Sequence, residues 1–402
     1  MKAKIFALAA LPFAVAMASN AVAGTVTTKG DDNIVLDTTG GGIKLKSSNG
    51  NSFQIGGRLQ WDYDAYDDVY NGGTGDGSNS ELRRGRIFIK GSAGKNWAYK
   101  LQLNVDQEDS ETNFADAYLQ YKKAGPGTLT IGRFKTPFSL EQLTSSKWIS
   151  TIERNHVLDG TFSGRQGFGV KWDAKLGPVG LSLAFQDSGN QDTDGGDDEE
   201  IFAYSARIFG APIKSKNTAL HLGAAYVTQD FEGNRARFRS RLGVHTAQRT
   251  TFADFNAGNT DDSDQFGLEA AFLSGPFSIQ GEYITRTIEF GDGTEDFDFD
   301  GYYLQATYTL TGEARKYKAK KGAFGGIKPK GKNGAWELVA RFEEATYEQG
   351  AQDDQSEVIT LGVNWYVNKN VKFAVNFVDG EAEQGTTTTD GNAIAFRAQY
   401  VF

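Results

Sequence analysis

The sequence predicts an all-β protein, a sixteen-stranded antiparallel transmembrane β-barrel built from a 402-residue chain. Three observations support this fold class. The N-terminus has the features of an export signal, most of the chain alternates between apolar and polar residues, and the C-terminus is an alternating segment that ends on Phe402. No later segment is apolar enough for a membrane helix, so an exported chain that spans a membrane must do so as a barrel.

The N-terminus predicts export. Lys2 and Lys4 precede an apolar run over residues 5–18, and Ala21-Val22-Ala23 is a small-residue cleavage site. This three-part pattern is typical of a secretory signal peptide. We therefore expect residues 1–23 to be removed, residues 24–51 to form an N-terminal periplasmic segment, and residues 52–402 to form the barrel.

The strands follow from alternation. In residues 101–106, 117–121, 336–343 and 359–365, apolar side chains occupy one parity and polar side chains the other, so each strand has one apolar and one polar face. A soluble sandwich would alternate in the same way. Aromatic residues near the strand ends and charges such as Arg341, Glu343 and Arg397 on the polar face favour a membrane barrel with a wet lumen. The predicted strand starts are Phe53, Leu82, Trp97, Phe114, Thr128, Gln166, Val179, Ile201, Thr218, Asp264, Phe277, Gly301, Ala335, Glu357, Val371 and Asn392.

The connections alternate in length, as barrels with short periplasmic turns and long external loops require. Short connections fall at residues 91–96, 124–127, 175–178, 274–276 and 367–370. Long ones are predicted at residues 63–81, 135–165, 187–200, 229–263 and 380–391. Residues 311–334 depart from this pattern, because they form a long basic segment in a turn position. We interpret them as a periplasmic excursion.

The last predicted strand has a specific ending. Ile394, Phe396, Ala398, Tyr400 and Phe402 share one parity, and the chain stops on the last of them. A final strand that ends in an aromatic residue resembles the signal read by outer-membrane assembly machinery.

Composition excludes several chemistries. The chain has no cysteine and three histidines, which rules out disulfides, thiolate catalysis and Cys-ligated metals. No Ser–His–Asp set stands out, so we predict no enzyme activity, no cofactor and no metal. A net charge of −9 argues against a nucleic-acid partner. The acidic residues 192–200 could bind calcium, although an acidic external loop is the simpler interpretation.

Four arginines at two-residue spacing form the strongest cluster, Arg235, Arg237, Arg239 and Arg241. In an extended chain they project to one side about 7 Å apart, whereas in a helix they would scatter. Only Asp230 and Glu232 stand nearby in the sequence to neutralise them. A row of guanidiniums along a water path could pass an anion between shallow sites. The alternative is a solvated basic loop that contacts lipopolysaccharide phosphates or nothing.

A second basic cluster lies in residues 82–90. Arg84 and Arg86 share one parity, and Ile87 has the other. A charge on the lipid face costs about 2–4 kcal/mol at mid-membrane, so these arginines are predicted to face the lumen. Arg83 has lipid-side parity and needs a bulge or a rim position to reach the pore. The alternative is a basic rim near the outer interface.

Residues 131–148 and 152–155, together with Leu82-Arg83-Arg84-Gly85-Arg86 and Asp116-Ala117-Tyr118-Leu119, closely resemble the phosphate-selective porins O and P of the Gram-negative outer membrane. The four-arginine run resembles the arginine ladder on the fifth external loop of those porins. The resemblance covers essentially the whole mature chain.

This resemblance implies a porin-type barrel in the outer membrane, assembled as a homotrimer, with inward-folded third and fifth loops. It implies that Arg83 and Arg84 are wall arginines of the constriction, with Asp116 as the nearby aspartate. Lys147 and Arg154 become the cations of the third loop, and Lys135 competes with Lys147 for that role. The further pore-lining candidates are Arg86, the ladder arginines and a lysine path at Lys90, Lys100 and Lys171.

The predicted function is passive, anion-selective diffusion of phosphate, pyrophosphate or polyphosphate. The expected partners are these anions, together with outer-membrane lipid and lipopolysaccharide. Two alternatives remain open, a general anion or sugar porin of the same fold and a surface adhesin. A sugar channel would need an aromatic slide rather than guanidiniums, and an adhesin has no use for four like charges aimed at one lumen.

Overall fold

The computed structural model describes residues 25–27, 33–105, 113–161, 166–187, 201–230, 235–255 and 260–402. The predicted signal peptide and the acidic segment 192–200 lie outside these residues. Within the described part of the chain, no helix is long and apolar enough to cross a membrane.

Sixteen long antiparallel strands form one closed barrel, which confirms the predicted fold class. Each strand pairs with its neighbours in chain order, and the last pairs with the first. The strands are β4 (Ser52–Tyr66), β5 (Gly77–Ala93), β6 (Trp97–Val105), β7 (Asn113–Ala124), β8 (Gly127–Lys135), β9 (Gln166–Leu176), β10 (Val179–Asp187), β11 (Phe202–Lys214), β12 (Thr218–Asp230), β15 (Thr260–Ser274), β16 (Phe277–Phe290), β17 (Phe297–Thr309), β20 (Ala335–Gln349), β21 (Gln352–Tyr366), β22 (Val371–Gln384) and β23 (Thr387–Val401).

The barrel closes between β23 and β4. Tyr400 lies opposite Leu59 in this pair, and Phe402 continues it by exchanging backbone hydrogen bonds of 2.8 and 3.1 Å with Gly57. A Cβ atom on Gly57 would lie 2.5 Å from the ring of Phe402, so only glycine leaves room for that ring. The terminal aromatic residue is therefore part of the closing contact.

The two faces of the barrel differ as the alternation predicts. The outward face carries exposed apolar side chains such as Leu119 (58% exposed) and Ile131 (56%). The inward face carries buried polar and charged groups, among them Gln60, Glu337 and Arg397. A membrane barrel presents its outer face to lipid and its lumen to water, so apolar side chains outside and polar side chains inside are typical of this fold.

Aromatic rings form a continuous row near the short-turn end of four adjacent strands. Trp336 and Trp365 lie 5.4 Å apart between ring centroids, Trp365 and Phe373 5.8 Å, and Phe373 and Phe396 6.2 Å. Rings at this level fit the interfacial girdle of a barrel, where an amphipathic side chain meets the lipid headgroups.

One predicted loop is wrong. Residues 380–391 were expected to form a long connection, but β22 continues to Gln384 and β23 begins at Thr387. Gly385 has a φ of +60° and makes a tight turn there. The acidic and threonine-rich composition resembles a loop, yet these residues stay paired because strands can extend beyond the apolar band, where both faces are polar.

The predicted N-terminal segment contains three short strands, β1 (Thr25–Thr27), β2 (Ile34–Asp37) and β3 (Ile43–Ser47). They pair antiparallel in order, and β3 pairs with the first residues of β4. Because β4 starts at the short-turn end, this small sheet extends the barrel wall at that end.

Residues 310–334, which we call the inner turn, lie at the short-turn end as expected but fold into the lumen. They contain β18 (Tyr317–Lys318) and β19 (Ala323–Phe324). The wall residue Arg207 donates hydrogen bonds to the carbonyl groups of Lys321 (3.1 Å) and Gly322 (2.8 Å). The inner turn is thereby fixed inside the barrel rather than projecting away from it.

Candidate functional site

The described part of the third loop, residues 136–161, crosses the lumen to the opposite wall. Its short helix α1 (Leu140–Leu143) begins where the Leu140 N–H donates to Glu282 of β16 at 2.8 Å. Further along, the Ile152 N–H donates to Asn376 of β22 at 2.7 Å. A loop that leaves β8 and returns to β9 while bonded to β16 and β22 narrows the path through the barrel.

The inner turn meets the third loop from the other end of the barrel. Phe324 packs against Leu140, and the Phe324 N–H donates to Thr144 at 3.1 Å. Arg315 of the inner turn donates to the Trp148 carbonyl at 3.1 Å. Two segments that enter from opposite ends therefore support one another within the lumen.

Two arginines lie directly opposite each other on the wall beside the third loop. Arg58 of β4 pairs in register with Arg86 of β5, and both have the lumen-facing parity. Arg58 is buried and donates to the Ser145 hydroxyl of the third loop at 3.2 Å. Like charges directly opposite on neighbouring strands repel each other, so this pair favours a counter-ion.

Two further cations approach this pair. The Lys135 ammonium donates to the Gln142 carbonyl at 2.6 Å, and the Arg154 guanidinium donates to the Thr144 carbonyl at 3.0 Å. Lys135 lies within electrostatic range of both Arg154 and Arg86. We call Arg58, Arg86, Lys135, Lys147 and Arg154 the constriction cations.

Lys147 lies on the third loop, with its ammonium 5.2 Å from the Trp148 ring centroid. Burial, together with the positive charge of Arg58, lowers the pKa of Lys147 to about 8. The ammonium is therefore mostly charged at pH 7 and titrates in a mildly alkaline range. Sequence reasoning left Lys135 and Lys147 as rivals, and the structure places both beside Arg58.

Asp116 is the acidic member of this region. It lies on β7, is buried, and forms an ion pair with Lys100 of β6. Lys135 and Arg86 are also within electrostatic range of it. Its charge therefore offsets part of the positive field of the constriction cations.

Arg83 lies in a bulge on β5, and Arg84 is the paired residue next to it. Gln60 pairs with Arg84, and Asp62 pairs with Glu81. One residue therefore lies between the two pairs on β4, and two residues lie between them on β5. This irregularity turns the Arg83 side chain inward despite its lipid-side parity. Both guanidiniums bind the carboxylate of Glu153 on the third loop.

The described part of the fifth loop, residues 235–255, also folds into the barrel. Its hairpin pairs β13 (Ala236–Ser240) with β14 (Thr250–Phe255). Phe238 is fully buried and faces the wall, where its ring centroid lies 4.5 Å from that of Phe297. Because successive side chains on a strand face opposite sides, Arg237 and Arg239 share the face opposite Phe238.

The other two ladder arginines flank this strand and have specific partners. Arg235 forms a two-pronged ion pair with Asp254 at 2.6 and 2.7 Å. The expectation that only Asp230 and Glu232 could neutralise the run is therefore wrong, because hairpin pairing brings Asp254 across from a distant part of the sequence. Arg241 donates to His245 Nε2 at 2.8 Å.

Four residues at this site were not predicted from the sequence. Arg58 was overlooked because it is a single arginine in an ordinary strand, and Glu153 because it was quoted only as part of a motif. Lys318 and Lys321 of the inner turn extend the expected lysine path, since Lys321 lies within electrostatic range of Lys100. An acidic residue among several cations in an inward loop was the available signal for Glu153.

No group of three or more His, Cys, Asp or Glu side chains suited to a metal ion occurs among the described residues. The site is instead a set of guanidinium and ammonium groups in the lumen, of which Lys135 and Arg154 are held by backbone carbonyls and Arg58 by the Ser145 hydroxyl. Such groups bind anions through charge-assisted hydrogen bonds, and repeated shallow sites allow an anion to pass.

A closed sixteen-stranded barrel with a polar lumen, an apolar outer face and an inward constriction loop defines an outer-membrane porin. The phosphate-selective porin O and P family model matches residues 53–402, and the chain belongs to that family. Porin O of Pseudomonas aeruginosa is 34% identical over 433 aligned positions, which cover 97% of both chains. The family and the fold are those of a channel rather than an enzyme.

Solved structures give the same fold at low identity. The anion-selective porin from Comamonas acidovorans aligns with a TM-score of 0.57 and 14% identity, over 88% of this chain and 100% of that one. The trimer form of OmpT from Vibrio cholerae aligns with a TM-score of 0.59 and 12% identity, over 88% and 100% of the two chains.

Proposed function

We propose that this porin carries phosphate, or the related pyrophosphate and polyphosphate anions, by passive diffusion across the outer membrane. The observation that carries the proposal is the facing pair Arg58 and Arg86, with Lys135 and Arg154 close by. Family membership and the similarity to Porin O support the same cargo.

The electrostatics favour an oxyanion. The chain has a net charge of −9, so anion selectivity has to arise from a local field. Exposed charges farther than about 8 Å from the path are largely screened at physiological salt, whereas the constriction cations act at contact distance. Guanidinium forks match the geometry of phosphate oxygens better than that of chloride.

The remaining predicted residues take supporting roles in this proposal. Arg237 and Arg239, with the flanking Arg235 and Arg241, raise the local anion concentration at the outer mouth. Asp116 keeps the constriction from holding an anion too tightly, because it subtracts positive charge beside Lys135. Conduction needs binding that is weak enough for release.

We further propose that the protein loses residues 1–23, retains residues 24–51 on the periplasmic side, and functions as a homotrimer in contact with lipid and lipopolysaccharide. The trimer form recorded for OmpT supports the assembly. Residues 310–334 support the third loop from within in this arrangement.

The test is single-channel recording in planar bilayers. The reversal potential across a potassium chloride gradient gives anion selectivity, and phosphate is then titrated against the chloride current. We expect strong anion selectivity and block by low phosphate. Anion selectivity without phosphate block would indicate a general anion porin, and weak or cation selectivity would reject the proposed cargo altogether.

Two arginine variants make this test specific. Arg58→Gln removes a constriction guanidinium and should raise the half-blocking phosphate concentration by about ten- to a hundredfold, as expected for a lost charged hydrogen bond of about 1.5–3 kcal/mol. Arg133→Gln is the matched control, because Arg133 lies against the outward Phe168 ring, at 5.7 Å from its centroid. Equal effects of the two variants would contradict the assignment.

A further inference from the structure

Three arginines bind one carboxylate of the third loop. They lie on two strands, β5 and β23, that are far apart in the sequence but are separated only by β4 in the barrel. Glu153 accepts hydrogen bonds from Arg83 at 3.0 and 3.2 Å, and from Arg84 at 3.1 and 2.9 Å. Arg397 of β23 adds a fifth bond at 2.6 Å. This is the geometry by which guanidinium forks hold a phosphate or a carboxylate.

Side chains of the barrel wall hold the third-loop backbone that carries Glu153. Arg341 donates to the Glu153 carbonyl at 3.1 Å, the preceding Ile152 N–H donates to Asn376, and Arg397 donates to the Ile152 carbonyl. Because the loop holds Glu153 in place, the arginines meet it as an intramolecular ligand at high effective concentration.

The charge state supports this arrangement. Burial opposes ionisation of Glu153, but Arg83, Arg84 and Arg397 outweigh it and hold the pKa of this carboxyl group well below its usual range. Glu153 is therefore ionised throughout the physiological range. Two carboxylates, Glu153 and Asp62, face these three guanidiniums, and Asp62 binds Arg397.

We infer that Arg83, Arg84 and Arg397 form an anion site whose resident occupant is the tethered carboxylate of Glu153. This inference rests on the proposed function. By occupying the site, Glu153 keeps three converging guanidiniums from trapping the permeant anion, and leaves transport to the constriction cations. Glu153 is thus a specificity-determining residue, since it limits how tightly the channel can bind phosphate.

A purely structural role for Glu153 makes the opposite prediction. If its carboxylate only anchored the third loop, its neutralisation would loosen the loop, widen the path and weaken phosphate block. If it is a resident anion, its neutralisation opens the site to phosphate and strengthens the block.

The experiment uses Glu153→Gln in planar bilayers, with inorganic phosphate as the probe. We expect the half-blocking phosphate concentration to fall at least about tenfold, and the phosphate residence time to lengthen in proportion. The double variant Glu153→Gln with Arg84→Gln removes one charge of each sign and should return the block towards the wild-type value. A weaker block with larger chloride conductance, or no change, would overturn the inference.

Two further measurements distinguish a failure of this inference from a variant that does not fold and from an error in the proposed cargo. Glu153→Asp keeps the charge but shortens the side chain, so it should strengthen the block about two- to threefold even if Glu153→Gln does not assemble. An unchanged or weaker block in Glu153→Asp would then overturn the inference. If wild-type channels show no phosphate block, the proposed cargo fails, while the chloride-to-potassium permeability ratio still tests Glu153, because Glu153→Gln must raise it.

Discussion

Truncation of Phe238 should loosen the packing of the fifth loop inside the lumen. The side chain is fully buried, and its ring centroid lies 4.5 Å from Phe297, 5.9 Å from Phe299 and 6.4 Å from Tyr347. It is the largest apolar side chain on the wall-facing side of β13, so the position of the arginine face depends in large part on it.

The size of the effect follows from the packing. A buried Phe→Ala change costs about 3–5 kcal/mol. If the loop detaches as a unit, this shifts its docked-to-released equilibrium by about two to three and a half powers of ten. Other contacts also hold the loop, among them the stacked Phe252 and Tyr347 rings at 4.1 Å and the Thr246 hydroxyl, which donates to Asp64 at 2.7 Å, so the substitution weakens the docked state rather than abolishing it.

The assay is single-channel conductance and open-channel noise, with protease accessibility of the fifth loop on intact cells. Phe238→Ala should give larger conductance, more flicker and faster cleavage. Phe266→Ala is the matched control, because Phe266 is 41% exposed on the outer face of the barrel wall. If Phe238→Ala assembles normally and leaves conductance, noise and cleavage unchanged, the loop is not held by this contact.

Three further predictions concern the constriction, the ladder and the closing strand pair. Anion selectivity for chloride should fall as the pH rises through about 8, because Lys147 loses its charge there, and Lys147→Arg should abolish this dependence in reversal-potential measurements. Replacing Arg237 and Arg239 with Ala should lower phosphate flux about tenfold without affecting trimer assembly, and unchanged flux would remove the ladder from the path. Gly57→Leu should abolish the heat-modifiable folded band on gels, because the new side chain meets the Phe402 ring, and normal folding would contradict that contact.

The predicted strand starts were more precise for strands that begin at the short-turn end of the barrel than for strands that begin at the loop end. Trp97, Val179 and Phe277 were predicted starts and are the first residues of strands at the short-turn end. Several strands that begin at the loop end were placed late, as for Leu82 in β5, which begins at Gly77, and for Asn392 in β23, which begins at Thr387, whereas β9 begins at Gln166 as predicted. Outside the apolar band both faces of a strand are polar, so the alternation that signals a strand disappears.

The site was predictable only where charge clustered in sequence. The run at Arg237 and Arg239 and the motif around Arg84 were visible as local patterns. Arg58 was not, because its importance comes from a cross-strand neighbour. Glu153 was not, because its partners lie on strands at opposite ends of the chain.

The seam between β23 and β4 has a consequence for biogenesis. Gln60 and Gln399 hydrogen-bond across it at 2.7 Å although 339 positions separate them in the chain. Until β23 pairs with β4, the unfinished sheet has two unpaired edge strands, whose N–H and C=O groups could pair with a strand of another chain. The chain must therefore be synthesised to its last residue, and kept from pairing with other chains, before the barrel can close. The final aromatic residue then completes the closing strand pair.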